Sequence, residues 1–284
     1  MTFPKHFWRV PAYLPYLQPE LTDEAVAEAE RILGVVLPTF YVEALRIQNG
    51  GYVRNQDFPG APAPVRTIAG IGPRFPSLTG HDWSEVKEHM AERGITNPDT
   101  IDALVPFSGD GHYHFCFDYR ACGPAGEPSI AYLDTECFDH DEVLAPDFLT
   151  FVNGLEPSGD DDLIGLASTR TLSRTAAALS TCLGVRFEQQ EQELQGYPHY
   201  RAKVGSGARP SWLWLEPNLV KRGFVRKRER DYAKLVNLLP GEDYRYPEHK
   251  DCDLVLVCGV APKEIETILR KLSAGGMDAK RIPR

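Results

Sequence analysis

The sequence predicts an α+β protein built in two parts. Three observations carry that reading. The first half runs helix, helix, helix, then three alternating strands, then a closing helix, rather than a regular βαβ rhythm. The segment "EPSGDDD", Glu156 to Asp162, then combines Pro, Gly, Ser and consecutive acids and cannot bury apolar area. Beyond it, helix and strand patterns start again. The expected division is residues 1–155 as one domain, 156–162 as a linker, and 163–284 as a second, smaller α+β domain, with a ferredoxin-like arrangement as its candidate topology.

In "LTDEAVAEAERILG", Thr22 can cap a helix, Asp23 and Glu24 suit the positive end of its dipole, and Val26, Ala29 and Leu33 share one face before Gly34 stops it. In "LPTFYVEALRIQNGG", Pro38 fits the first turn of a second helix. Tyr41, Ala44, Leu45 and Gln48 keep helical spacing, and Asn49, Gly50 and Gly51 supply a left-handed exit. Residues 55–80 are rich in Pro and Gly and predict an irregular loop, with at most a short strand at Val65 to Ala69. "HDWSEVKEHMAERG" resumes helical spacing through Trp83, Val86 and Met90. "ALVPFS", "HYHFCFDYR" and "SIAYLD" predict three strands separated by Gly, Asp and Pro turns. "APDFLTFVNGL" closes the domain as a helix whose Phe148, Phe151, Val152 and Leu155 lie at i, i+3, i+4 and i+7.

The second part predicts a helix near Thr169 to Leu183, strands at "VRFEQQ", "HYRAKV" and "SWLWLE", and a helix near Arg226 to Leu239. Its end predicts a buried strand, a helix with Ile265, Ile268, Leu269 and Leu272 inward, and an edge strand.

At 284 residues, 42% hydrophobic and 25% charged, each part can bury a core without staples. The opening residues show no apolar stretch behind a basic head, and no apolar run approaches the roughly 20 residues of a membrane helix, so a soluble cytoplasmic protein is expected. The six cysteines form no CxxC pair and read as reduced thiols. The net charge of -9 is unevenly spread: residues 1–155 hold 10 Lys and Arg against 22 Asp and Glu, whereas 156–284 hold 21 against 18.

Within the first part, the acidic helix, "AERILGVVLPTFYVEALRIQNGG", "LVPFSGDGHYHFCFDYR", "PSIAYLD" and "LAPDFLTFVNGL" occur in an order that resembles the SMI1/KNR4 family, also called the SUKH superfamily. The residues that carry the resemblance are Glu30, Leu33 and Gly34, Leu37 with Pro38, Asn49 to Gly51, and the "GDG" turn at Gly109 to Gly111 ahead of Phe117 and Asp118. It covers about residues 20 to 155, and a long Pro/Gly-rich insertion after the NGG turn departs from it. The resemblance implies a mixed sheet packed with helices and no catalytic centre. Bacterial members of the family commonly act as immunity proteins that neutralise toxins, many of them nucleases; fungal members regulate cell-wall synthesis. The second half resembles no family we recognise.

The stretch "GDGHYHFCFDYR" poses the sharpest chemical question. On an extended strand His112, His114, Cys116 and Asp118 share one face, while Tyr113, Phe115, Phe117 and Tyr119 share the other and suit a core. Same-face neighbours are about 7 Å apart, so a metal would need further ligands such as Cys137 and His140. The simpler expectation is a half-exposed polar face partly covered by a helix, with no metal and no cofactor. No Ser or Cys sits in a nucleophile signature, and "GIG" and "GSG" extend to no phosphate loop. "KRGFVRKRER", Lys221 to Arg230, with Trp212 and Trp214 nearby, could contact nucleic acid or form the solvated face of a helix; nucleic acid is not the expected partner.

The expected function is therefore non-catalytic protein binding. The partner suggested by the resemblance and the acidic first half is a basic toxin domain, steered by charge and occluded on binding. Tyr52, Phe58 and Trp83 are candidate aromatic anchors, and Asp57, Asp110, Asp139, Asp141 and Glu142 candidate acidic contacts. Two alternatives stay open: an intracellular regulatory scaffold that docks partners on its acidic and basic halves, and an enzyme with His112, His114 and Asp118 in a cleft.

Overall fold

The structure, a computed structural model, describes residues 3–4, 7–9, 12–95, 98–138, 141–156, 162–192, 197–205, 211–221, 223–226, 229–235, 243–244, 251–260 and 262–282. The chain divides into two compact units, Met1–Ser158 with Val225–Leu238, and Gly159–Phe224 with Leu239–Arg284. Residues 225–238 thus group with the first unit, where the sequence reading placed all of 163–284 in the second. Composition marks a break along the chain, but a return of the chain across that break leaves no local signal. Of the expected linker, Glu156 bridges to Asp57 in the first unit, Asp162 opens a strand, and 157–161 lie outside the described residues.

In the first unit, α1 (Asp23–Leu33) starts where the Thr22 hydroxyl accepts from Ala25 N at 3.2 Å and ends at Gly34. The Glu30 carboxylate then accepts from Leu37 N at 2.9 Å, which holds the short loop into α2 (Thr39–Ile47). Asn49, at the end of α2, is buried and joins three segments. Its amide donates to Pro19 O at 2.7 Å and Ile71 O at 2.9 Å, and its carbonyl accepts from Ile71 N at 2.9 Å. Gly50 follows at φ 86°, and a Cβ there would lie 2.8 Å from Gly70 N, so this turn admits only glycine. Short strands β1 (Gly51–Tyr52) and β2 (Thr67–Ile68) pair across the Pro/Gly-rich loop, and α3 (Ser84–Glu92) follows.

The sheet is formed by β3 (Leu104–Gly109), β4 (Tyr113–Asp118), β5 (Ser129–Asp134) and β6 (Asp141–Ala145), in that spatial order and antiparallel throughout. This differs from the mixed sheet the resemblance implies, because consecutive strands joined by short turns fold back on one another. The strand β6 is also absent from the sequence reading, which takes this stretch for an acidic surface cluster. It is an edge strand whose Asp141, Glu142 and Val143 are exposed, so it shows no apolar alternation. The last helix, α4 (Phe148–Asn153), is capped by Asp147.

The sheet buries both faces. Tyr41, Phe107, Phe115, Phe117, Phe148 and Phe151 are all fully enclosed between the sheet, α2 and α4, with Phe107 stacked on Phe117 at 4.5 Å and Tyr41 edge-on to Phe148 at 5.5 Å. Burying each such ring stabilises the unit by roughly 1.5–3 kcal/mol. Residues before the family-like region join this core: Phe7 and Trp8 are buried, and Trp8 Nε1 donates to Ala44 O at 3.2 Å. A smaller core on the opposite face packs Met90 of α3 with Ile101, Leu104, Cys116 and Leu133.

In the second unit, β7 (Asp162–Ala167), α5 (Leu172–Leu183), β8 (Phe187–Gln189), β9 (Tyr200–Val204), β10 (Ser211–Pro217), β11 (Leu254–Gly259), α6 (Pro262–Ala274) and β12 (Asp278–Ile282) build a six-stranded sheet. Its order is β12-β7-β11-β10-β9-β8, with every pairing antiparallel. Leu179 of α5 and Ile265 and Leu272 of α6 pack with Ile164, Leu213, Leu215 and Leu256 in one cluster, so both helices cover the same face. A four-stranded ferredoxin-like sheet would have two strands fewer. The sequence reading omits β7 because Gly165 interrupts a short run that follows directly on the acids of the break. Of the helix expected at Arg226 to Leu239, Tyr232–Leu235 is helical and Arg226 is not; 227–228 and 236–239 lie outside the described residues.

Candidate protein-interaction surface

The turn that delivers β4 is built by Gly109, where a Cβ would lie 2.3 Å from Tyr113 O. The Asp110 carboxylate accepts from His112 N at 3.0 Å and closes the turn. Along β4 the four alternating polar residues meet four different environments. His112 is exposed, its Nδ1 2.7 Å from a Glu136 carboxylate oxygen. His114 is 7% exposed, its ring 4.9 Å from His81 and 5.3 Å from Trp83; burial, and then the neighbouring His81, lower its pKa to about 4. Cys116 is fully buried, and that burial pushes its thiol well up.

Asp118, 4% exposed, is held by Arg120 at 2.9 Å from Nε and 2.8 Å from Nη2. The same guanidinium forks onto Asp141 at 2.5 and 2.8 Å, and the two carboxylates raise the Arg120 pKa. The polar face expected to be half-exposed is therefore mostly enclosed, because α3 and its flanks cover it and Trp83 Nε1 donates to Leu104 O at 3.0 Å. Among the described residues no three His, Cys, Asp or Glu side chains come together to hold a metal; His140 lies outside them.

A shallow cleft of about 380 Å³ is lined by Thr39, Phe40, Glu127, Asp147, Leu149 and Thr150, and contains none of the strand's histidines. Burial, and then the Asp147 charge, push the Glu127 carboxyl up. Asp147 itself accepts from Thr150 N at 2.7 Å.

The candidate contact residues are distributed unevenly. Phe58 is not an exposed anchor: it is half-buried, its ring stacked on Phe151 at 4.9 Å. Trp83 is half-buried and packs against the small core under α3. Tyr52 is half-buried in an aromatic group with Tyr13 at 6.0 Å and Tyr16 at 5.2 Å. Asp57, Asp110, Asp141 and Glu142 are exposed, and Asp141 is held by Arg120. Asp139 lies outside the described residues.

Sequence reasoning missed several groups here. Tyr13 and Tyr16, in "PAYLPYL", form the centre of the aromatic group, and Phe75 sits 6.5 Å from Tyr16. Arg226 and Glu229 reach Tyr13: the guanidinium lies 5.0 Å from its ring centre and the carboxylate accepts from its hydroxyl. The only signal was a density of Tyr and Pro near the start of the chain. The nucleic-acid candidates fare differently. Trp212 carries the Arg201 guanidinium 4.1 Å from its ring centre. In the basic run, Lys221 lies in a short strand opposite Asp243, while Arg222, Lys227 and Arg228 lie outside the described residues.

Compared with known families, residues 20–154 match the sequence model of the SMI1 / KNR4 family (SUKH-1). No curated protein matches the chain.

Proposed function

Because residues 20–154 form a domain of the SMI1 / KNR4 family (SUKH-1), we propose that this chain is a non-catalytic binding protein, an immunity protein that neutralises a cognate toxin by occluding it. The family match is the observation that carries this reading. The charge of the first half supports it: an excess of 12 acidic residues over residues 1–155 favours a basic partner such as a nuclease domain, whose own charge serves to bind phosphate backbones. The exposed Asp57, Asp110 and Glu142 and the Glu127–Asp147 cleft offer carboxylates to such a partner, with Tyr52 as the aromatic contact.

Co-expression with the product of the adjacent gene tests the proposal. Rescue of growth together with co-purification is the expected result; neither effect with any candidate toxin would remove it. The alternative of a regulatory scaffold draws on the second part, whose charge has the opposite sign. In the full chain, charge reversals at Asp57, Asp110 and Glu142 should abolish rescue if the immunity reading holds, and reversals in the second unit should not. The opposite pattern favours the scaffold.

A further inference from the structure

Residues 225–238 carry five Lys or Arg against two Asp or Glu, and they return to a first unit whose residues 1–155 carry the opposite charge. Two of their contacts are with Tyr13. Glu229 accepts the Tyr13 hydroxyl, and the exposed Arg226 lies over the face of the same ring. Tyr13 is only 3% exposed. Its ring meets Tyr16 at 5.0 Å, and Tyr16 continues to Tyr52 and to Phe75, which is 81% exposed.

The cation–π contact and the charged hydrogen bond are the kinds of interaction used where protein surfaces recognise one another, and an exposed cation is screened by salt. Leu235, further along the same segment, is buried and adds apolar area. The segment thus has the chemistry of a bound peptide that happens to be covalently attached.

We propose that the segment carrying Arg226 and Glu229 is an internal ligand of the Tyr13–Tyr16–Tyr52 surface, and that the same surface takes a basic segment of a protein partner in its place. The partner segment offers an arginine to the tyrosine face and a carboxylate, three residues on, to the Tyr13 hydroxyl. The identity of that partner rests on the protein-binding role proposed above; the internal contact does not.

The experiment uses the full chain, its Arg226→Ala/Glu229→Ala variant, and a labelled synthetic peptide of residues 223–238 as the probe. Loss of the two anchors should speed trypsin cleavage after Arg230 and Lys234 by about tenfold, and the peptide should bind the variant about tenfold more tightly than the unaltered chain, because the unaltered surface is already occupied. Tyr13→Phe, placed in the variant, keeps the ring and should weaken the peptide without unfolding the core. Unchanged cleavage, equal binding to both chains, or binding to neither overturns the proposal. No toxin enters these measurements, so failure to find one would remove the immunity reading and leave this result standing.

Discussion

Asn49 and Ile71 exchange a reciprocal pair of hydrogen bonds, each 2.9 Å, between the Asn49 side-chain amide and the Ile71 backbone. The Asn49 amide also holds Pro19 O at 2.7 Å, so one buried side chain ties the entrance to α1, the exit from α2 and Ile71 within the Pro/Gly-rich loop. Asn49→Ala leaves three backbone groups without this partner, the two on Ile71 buried. It should lower the unfolding free energy by about 3 kcal/mol, read from the midpoint of a urea transition. A loss below about 1 kcal/mol would mean that water replaces the amide.

Arg120 is the only described cation on the Asp118 carboxylate, which is 4% exposed. Arg120→Ala should destabilise by about 2–3 kcal/mol, because it strands that charge. With Asp118→Asn already present, the same substitution should cost under about 1 kcal/mol. Equal costs in both backgrounds would show that Arg120 acts through Asp141 or through packing instead.

The pH dependence follows from His114, whose pKa falls from 6.5 to about 4. Between these values the unfolded chain binds more protons than the folded one, so stability declines as pH falls from about 6.5 and levels off below about 4. The full effect is on the order of 3 kcal/mol. His81, whose pKa burial also lowers, adds in the same direction; Asp110 and Asp82 oppose the shifts on His114 and His81 respectively. Comparing His114→Leu with the unaltered chain across that window isolates the contribution. Parallel curves would exclude it.

Thiol reactivity should divide by burial. Cys122 and Cys137 are exposed, while Cys116 and Cys258 are fully enclosed. A chromogenic disulfide reagent should modify the first pair rapidly in the folded protein, and the second pair only on a timescale set by opening of the cores. Modification of Cys116 at the rate of Cys122 would contradict the enclosed face of β4.

If the acidic surface steers a basic partner, raising salt should slow association far more than it speeds dissociation, as measured by stopped-flow mixing or surface binding. A salt-independent association rate would remove steering while leaving the binding reading intact.

The elements themselves were largely legible. Thr22, Gly34 and the Asn49–Gly51 turn marked helix ends through local chemistry, and the Phe115 and Phe117 alternation marked a core strand. The candidate contacts were less so. Phe58 looked like an exposed loop aromatic, yet it stacks on Phe151, which lies in α4, far along the chain. Asp141 looked like free acid, yet Arg120 holds it from the position just beyond β4.

Local sequence alone settles which residues share a face, where helices begin and stop, and which family model residues 20–154 match, since periodicity, capping and motif order are properties of neighbouring residues. What each face meets is set by the packing of the folded chain. It enclosed His114 and Cys116 under α3, closed Arg120 onto two carboxylates, and returned Arg226 and Glu229 to Tyr13. Those outcomes depend on contacts between residues far apart in the chain, and such contacts leave no trace in local spacing.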